Sequence, residues 1–551
     1  MNSPNSLGTL HGRLADIADR HPRVTATFWS SGESMEYIEM HCAAHAAAAT
    51  LVDRGVSRGE PVGILCPNAP EFVVSLFGIV AAGGAATPLP LPVGARPAHG
   101  YQRQLAAILT TAGIRKVVVS HRFAGLISLI DEGLDVEFID TEHLSDAGDS
   151  GARLPATTPD DLAIVQFTSG STAVPKGVRL THRQVLSGLA AIRVGIDLGT
   201  EDQGAFWLPL FHDMGLIGTL SAILRGIPVH IWSPIAFVKD PARWLAEFAA
   251  SGATITAMPN FGYEALLSAV APERVSDYDL RRWRIGFNGA EPISYDVVTR
   301  FVDRFGPAGF APTAMFGVYG MAEATLAVTF PPLGREPVFE WVDRGLLANA
   351  RVAEPVTPRA ATARAVAGVG TPVAGLALRV ADIDGVDELP DGRVGEILIR
   401  GASVTDGYTS SDPASVSGRF TDGWLRTGDL GYRRGAELFV TGRCKDMITV
   451  RGVNHYAQDV EAAVADMPGI YKGRCVATVD PDGDDVISLI AESELAGPAA
   501  AELSYEIRKR IAAEVGLASV EVHLVVPRSI PRTSSGKLRR LLARELLPHH
   551  Q

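Results

Sequence analysis

The sequence predicts an α/β protein: a large N-terminal domain of α/β-layered subdomains with a β-rich section, followed by a small C-terminal α+β domain. Helical and strand patterns alternate through roughly the first 330 residues, the order that gives parallel sheets covered by helices. From about Gly368 the texture turns to short period-two strands around Gly and Asp turns, and the closing segment returns to α/β texture. At 551 residues the chain also exceeds what one hydrophobic core supports.

Taken in order, "EFVVSLFGIVAAGGAATPLPLP" from Glu71 reads as a buried helix running into a strand, broken by Gly83, Gly84 and prolines before it could cross a bilayer. "AAILTTAGIRKVVVSH" is helix then buried strand, and "WLAEFAASGATITAMP" from Trp244 repeats that order. "GLALRVADIDG" and "RVGEILIRG" read as strands. Beyond them, "NHYAQDVEAAVADM" and "AAELSYEIRKRIAAEVG" carry helical periodicity around the strands "RCVATVD" and "EVHLVVP". The texture changes at "TGRCKDMITVRG", which sets domains at 1–443 and 444–551. "ARVAEPVTPRAATARAVAG", rich in Ala, Pro, Thr and Arg, reads as an exposed insertion.

A formal charge of −12 and a pI near 5.6 argue against a broad nucleic-acid face, which needs a basic surplus; a local cationic pocket stays compatible. Cys42, Cys66, Cys444 and Cys475 match no metal-ligand spacing and read as reduced thiols. The N-terminus lacks the basic start and apolar core of a signal peptide. These features lead to the expectation of a cytoplasmic protein with no membrane span and no nucleic-acid partner.

"FTSGSTAVPKGVRLTH", Phe167 to His182, carries the first chemical signal. "LAIVQF" before it is a short buried strand, and Thr181 with Gln184 makes a capping box for a following helix. Between them Thr168, Ser169, Ser171 and Thr172 offer hydroxyls, Gly170 bares backbone N–H groups and Lys176 adds a cation, a set suited to a polyphosphate. The Walker pattern fails, because Gly177 rather than a hydroxyl residue follows the lysine. By itself the stretch could be a Ser/Thr-rich surface loop.

Four further motifs occur with it in order: "VYGMAEATL", "WLRTGDLGY", "GRCKDMITVRG" and "PRTSSGKLRR". Together they resemble the adenylate-forming superfamily of acyl-CoA ligases, adenylation domains and luciferases, over nearly the whole chain. "LPLFHDMGLIG", "NGAEPI", "YGMAEATL" and "VRGVNHYAQDVE" are similar to the fatty acyl-AMP ligase branch.

The resemblance implies roles that residue chemistry supports. Glu323 would hold Mg²⁺ with a hard carboxylate oxygen. Ala322 stands where most of the superfamily has a Thr that touches the α-phosphate, a departure the branch shares. Asn288, Gly289 and Ala290, with Tyr319, Gly320 and Met321, would form the adenine site. Asp429 would accept from the ribose hydroxyls and Arg443 would contact the ribose, although a turn-stabilising Asp and a surface ion pair remain plain alternatives. Lys537, in a loop with Thr533, Ser534, Ser535 and Gly536, would offset the repulsion between carboxylate and α-phosphate. His212 would line the carboxylate end of the acyl pocket. Phe237, Met258, Phe261, Tyr263 and Phe316 would flank the acyl path, though they equally suit core packing.

In the family the small domain rotates about a hinge, here Lys445, and brings the Gly452 segment to the site for pantetheine. The resemblance therefore implies a ligase that uses Mg-ATP to turn a fatty acid into acyl-AMP and passes the acyl group to the phosphopantetheine thiol of a holo acyl carrier protein. An acyl-CoA synthetase is the first rival, and an aryl or amino acid adenylating enzyme a weaker one. A non-catalytic nucleotide sensor would be marked by decay at Lys176, Glu323, Asp429 and Lys537, and all four stand. The stretch of about 40 residues from Leu326 to Gly368 is long for a connection and matches an insertion of the branch that hinders coenzyme A transfer. Phe339, Trp341, Val342, Leu346 and Leu347 in it would dock on the small domain.

Overall fold

The computed structural model describes residues 8–92, 98–123, 125, 127, 135–144, 153–168, 175–383, 385–412, 416–450, 453–479, 486–517, 519–532 and 538–547. Ser169, Gly170, Ser171, Thr172, Gly452 and Lys537 lie outside the described residues.

Two seven-stranded sheets dominate the first part of the chain. In one, Met315–Gly317, Ile285–Asn288, Ile255–Met258, Gly204–Phe206, Val229–Ile231 and Thr25–Phe28 run parallel, with Glu33–Glu36 antiparallel at the edge. In the other, Leu162–Thr168 continues a parallel set, then turns back antiparallel into Lys176–Thr181. Helices such as Pro70–Ala81, Asp213–Arg225 and Pro241–Ser251 cover the sheets, as strand–helix alternation demands. Thr181 Oγ1 accepts from the Gln184 amide at 3.2 Å and Gln184 Oε1 from the Thr181 amide at 2.9 Å, so the capping box starts the helix His182–Gly195. No helix among the described residues is long and apolar enough to cross a membrane.

The β-rich section is a five-stranded antiparallel sheet containing Leu376–Ala381, Gly395–Gly401 and Trp424–Arg434, with Glu437–Arg443 paired to the last of these. That sheet ends at Arg443. A short turn, Cys444–Asp446, leads to Met447–Val450 in a separate two-stranded sheet, and a second core of residues from Ile448 onward forms around the three strands Cys475–Val479, Ile487–Glu492 and Val520–Val525. Helix Gly497–Val515 covers it. The "NHY" of the expected helix is instead strand, Val453–Tyr456, because it pairs with Met447–Val450, and the helix is confined to Ala457–Ala462.

The Ala/Pro/Thr/Arg-rich stretch is not wholly exposed. Its end, Ala363–Ala367, pairs antiparallel with Phe339–Asp343, and Ala353 and Val366 are buried with Val342 and Leu347 against Phe439, Tyr432 and Tyr456. Of the other expected anchors, Phe339 and Trp341 pack edge-on against Tyr295, and Leu346 is exposed.

Candidate functional site

A cavity of about 740 Å³ lies among the two large sheets, the β-rich section and the C-terminal region. Of the residues singled out from the sequence, Thr168, Lys176, His212, Ala290, Tyr319, Gly320, Met321, Glu323, Asp429, Arg443 and Lys445 line it. Their convergence follows from topology. Strands in a parallel α/β sheet present their C-terminal ends on one side, and the loops there carry the polar residues.

Glu323 sits in the short turn Ala322–Ala324, held on both flanks. The Thr405 amide donates to its carbonyl at 2.8 Å, and Thr325 adopts φ +68°, with its hydroxyl donating to the Ser403 carbonyl at 2.9 Å. A left-handed β-branched residue costs about 1–3 kcal/mol, so these bonds are what keep the turn. The Glu323 carboxylate is almost fully buried, accepts from Tyr408 Oη at 3.0 Å and faces the Arg419 guanidinium at 3.9 Å. Lys176 lies at the foot of the hairpin that starts at Thr168, its strand partner. Burial and the nearby Arg419 lower its pKa from the ordinary lysine value.

The "TGDLG" segment, an irregular stretch within the strand Trp424–Arg434, is fixed from behind. Glu396 accepts from Arg426 Nε and from the Gly428 amide, both at 2.8 Å, and Thr427 donates to the Ile397 carbonyl at 2.7 Å. Asp429 then accepts from Tyr319 Oη at 2.7 Å on one oxygen and from Arg443 Nε at 2.9 Å on the other. Burial and this carboxylate push the Tyr319 hydroxyl pKa far up, and Asp429 raises that of Arg443. Two of the roughly four lone-pair directions of Asp429 are thus used. Gly289 must be glycine: a Cβ there would come within 2.9 Å of Val318 Cγ2 and 3.0 Å of its carbonyl oxygen. Asn288 does not reach the cavity. It is fully buried beside a small void, and its amide has no hydrogen-bond partner among the described residues.

His212 caps the helix Asp213–Arg225, its Nδ1 3.4 Å from Asp213 Oδ1. The strand leading to Thr168 is tied to the same corner, since Gln166 Nε2 donates to the Phe211 carbonyl at 2.8 Å. From His212 the cavity follows one face of that helix past Met214, then Gly218 four residues on, then the adjacent pair Ser221 and Ala222 three and four residues further. From the sheet, Phe206, whose ring packs on Gly218, lines it with Ile255, Ala257 and Phe287. This arm is an apolar trench.

Phe237, Met258, Phe261, Tyr263 and Phe316, expected to flank an acyl path, do not line the cavity. Successive strand residues face opposite sides of a sheet, and Phe206, Ile255 and Ala257 take the trench side. Trp207 and Met258 therefore point the other way. Phe237 stacks on Trp207 at 3.8 Å between ring centroids, Phe261 meets Trp207 edge-on, and Tyr263 packs against Phe301 while donating to the Phe287 carbonyl at 3.0 Å. Phe316 is the in-register neighbour of Phe287 on the next strand and packs edge-on against Phe287 and Phe330, which do line the cavity.

Arg419 is a site residue that the motifs did not reveal. Its Nη1 donates to the Arg426 carbonyl at 2.9 Å, and its guanidinium passes 3.1 Å from where a Cβ on Gly428 would stand. The C-terminal region closes the cavity with Gln458, Glu461, Arg532, Leu538 and Arg540. Arg532 and Leu538 bridge each other across the segment that holds Lys537.

Residues 14–409 match the family model described as "AMP-binding enzyme". The medium-chain-fatty-acid–[acyl-carrier-protein] ligase JamA of Moorena producens is 32% identical over 95% of this chain and 92% of its own. The long-chain-fatty-acid–AMP ligase FadD32 of Mycolicibacterium smegmatis is 32% identical over 90% and 86%. Among solved structures, one from work on the fatty acyl-adenylate ligases of E. coli and L. pneumophila superimposes with a TM-score of 0.91 at 29% identity, covering 98% of this chain and 97% of that one. The L. pneumophila fatty acyl-adenylate ligase in complex with acyl adenylate and pyrophosphate gives 0.77 at 27% identity, covering 99% and 97%.

Proposed function

The chain belongs to the AMP-binding enzyme family, and we propose that it activates a fatty acid with Mg-ATP to acyl-AMP and passes the acyl group to the phosphopantetheine thiol of a carrier protein. The observation that carries this reading is a single cavity with two chemistries: a basin with Lys176, Glu323, Arg419, Asp429 and Arg443, and an apolar trench that leaves it at His212. The relatives named for fatty acids and for carrier proteins support the same substrates.

In the first step a carboxylate oxygen attacks the α-phosphorus, the bond from that phosphorus to the bridging oxygen breaks, and pyrophosphate leaves. Two anions must meet, so positive charge fixed in advance lowers the barrier. Lys176 and Arg419 supply it on the basin side, and we assign the third charge to Lys537, which precedes the cavity-lining Leu538 in sequence. With Ala322 offering no donor, Arg419 is the group beside Glu323 that can bond a phosphate oxygen. Asp429 keeps lone pairs for the ribose hydroxyls while Tyr319 and Arg443 hold it in place. Glu323 would hold the Mg²⁺, which takes one or two carboxylates plus phosphate oxygens and neutralises phosphate charge when bound. His212 stands where the trench begins and orients the carboxylate.

In the second step the thiol sulfur attacks the acyl carbonyl, the bond to AMP breaks, and AMP leaves. The C-terminal domain, divided from the rest at 443/444, turns about Lys445 for this. Its present seat is pinned by the insertion. Arg364 Nε pairs with Asp459 at 3.1 Å and Arg344 with the same carboxylate at 3.8 Å, Arg344 also donates to the Glu514 carbonyl, and Asn349 Oδ1 accepts from the Asn454 amide at 2.7 Å. These contacts must yield before the turn. A carrier protein brings binding energy from its own surface to that exchange, which free coenzyme A lacks.

The test is an assay with ATP and a fatty acid, alone, with coenzyme A and with a holo carrier protein. Acyl-AMP should accumulate alone, acyl-CoA should stay minor, and the carrier should load readily. Efficient acyl-CoA synthesis would instead make the enzyme an acyl-CoA synthetase, and activation of aryl or amino acids only would remove the fatty acid.

A further inference from the structure

We infer that Phe206, lodged between Gly204 and Gly218, is the residue that sets the length of acyl chain the trench admits. This rests on the fatty acid reading above and names a specificity element within it.

Phe206 ends the strand Gly204–Phe206, is almost fully buried and forms part of the trench wall. Its backbone cannot retreat, because it pairs in register with Ile231 and its carbonyl accepts from the Trp232 amide at 2.9 Å. The ring lies flat against two glycines. A Cβ on Gly218 would come within 2.9 Å of Cε1 and 3.2 Å of both Cδ1 and Cζ, and a Cβ on Gly204 within 2.9 Å of Cε2. Contacts below 3.0 Å force something to move, and the Gly204 methyl would also come within 3.2 Å of Ala222 Cβ. The helix and sheet are fixed, so the ring must swing, and the open volume beside it is the trench.

Gly218 stands six residues along the helix from His212, about 9 Å from the carboxylate end at the α-helical rise. Beyond it along the chain Ser221, Ala222 and Ile227 line the same cavity, as do Ile196 and Leu198. A ring displaced at Gly218 therefore divides the trench into a short near part and a closed far part. Octanoate fits the near part, whereas palmitate needs both.

The experiment measures kcat/KM for adenylate formation, by pyrophosphate release, on straight-chain acids from hexanoate to stearate. Gly218→Ala should raise the ratio of octanoate over palmitate by about tenfold or more, the scale on which an apolar pocket discriminates by size. Phe206→Ala, which removes the ring and does not crowd the helix, should move the profile toward the longest acids and undo the effect of Gly218→Ala in the double variant. An active parent whose profile neither variant shifts, or shifts only by equal loss at every length, overturns the role of Phe206. A parent that adenylates no acid of any length overturns this role together with the fatty acid reading.

Discussion

Tyr319 and Asp429, 110 residues apart in sequence, are joined by a hydrogen bond of 2.7 Å from the phenol to Oδ2. The bond leaves the carboxylate one orientation, with Arg443 Nε on the other oxygen. Tyr319→Phe should then raise the KM for ATP about tenfold, as expected for losing a hydrogen bond to a charged group, with kcat changed little. Pyrophosphate exchange at varied ATP separates the two.

Lys537→Ala should cut adenylate formation by about 10²–10³, the loss typical of removing one preorganised charge. Transfer to the thiol from supplied acyl-AMP should survive. A variant that adenylates at the parent rate would mean another cation does this work.

Arg419 depresses the Lys176 pKa by charge repulsion, after burial. Lys176 must be protonated to face a phosphate, so activity falls as pH rises through its pKa, and the depression brings that fall to lower pH than an ordinary lysine would show. Arg419→Gln should move the alkaline limb of kcat/KM upward in pH while lowering its plateau by about 10- to 100-fold. A pH–rate profile from neutral to alkaline checks both.

Asp459→Ala removes the partner shared by Arg364 and Arg344. Acyl-CoA formation should rise on the order of fivefold, the low end of a coupling between two conformations, with adenylation unchanged. Coenzyme A titrations of parent and variant decide it.

His11 and His182 meet edge-on at 5.9 Å, and His182 Nδ1 accepts from the Leu10 amide at 3.1 Å, which requires a neutral ring. Burial first, then other histidines, pushes their pKa values down to about 4 and about 3. Unfolded, both would protonate near pH 6.5, so their stabilisation is complete above that pH and is lost as pH falls through about 6.5 toward 4. Each ring should cost on the order of 3 kcal/mol by pH 4. His182→Gln should flatten the dependence of the urea midpoint on pH over that window.

The polar basin was legible because its residues sit in motifs whose order and chemistry are local to the sequence. The trench was not. Ile255–Met258 is buried at every position, so no alternation marks which side chains face the cavity, and Met258 and Ala257 look alike until the sheet is built. Arg419 did leave a signal. "TDGW" places Asp422 and Gly423, with φ +51° and +75°, in a two-residue turn, and the pairs Thr421–Trp424 and Phe420–Leu425 lead directly to Arg419 opposite Arg426. Counting back across that hairpin puts a guanidinium beside "TGD".

The helix Asp213–Arg225 begins at His212 and borders the trench through Ala222, so reactive end and chain-measuring wall share one rigid axis. Tilting it to admit another substrate would also displace the carboxylate from the phosphate. Selection for a different acid can therefore act on the side chains along its face with the chemistry left in register, and the size of Gly218, Ser221 and Ala222 is the variable that remains open to it.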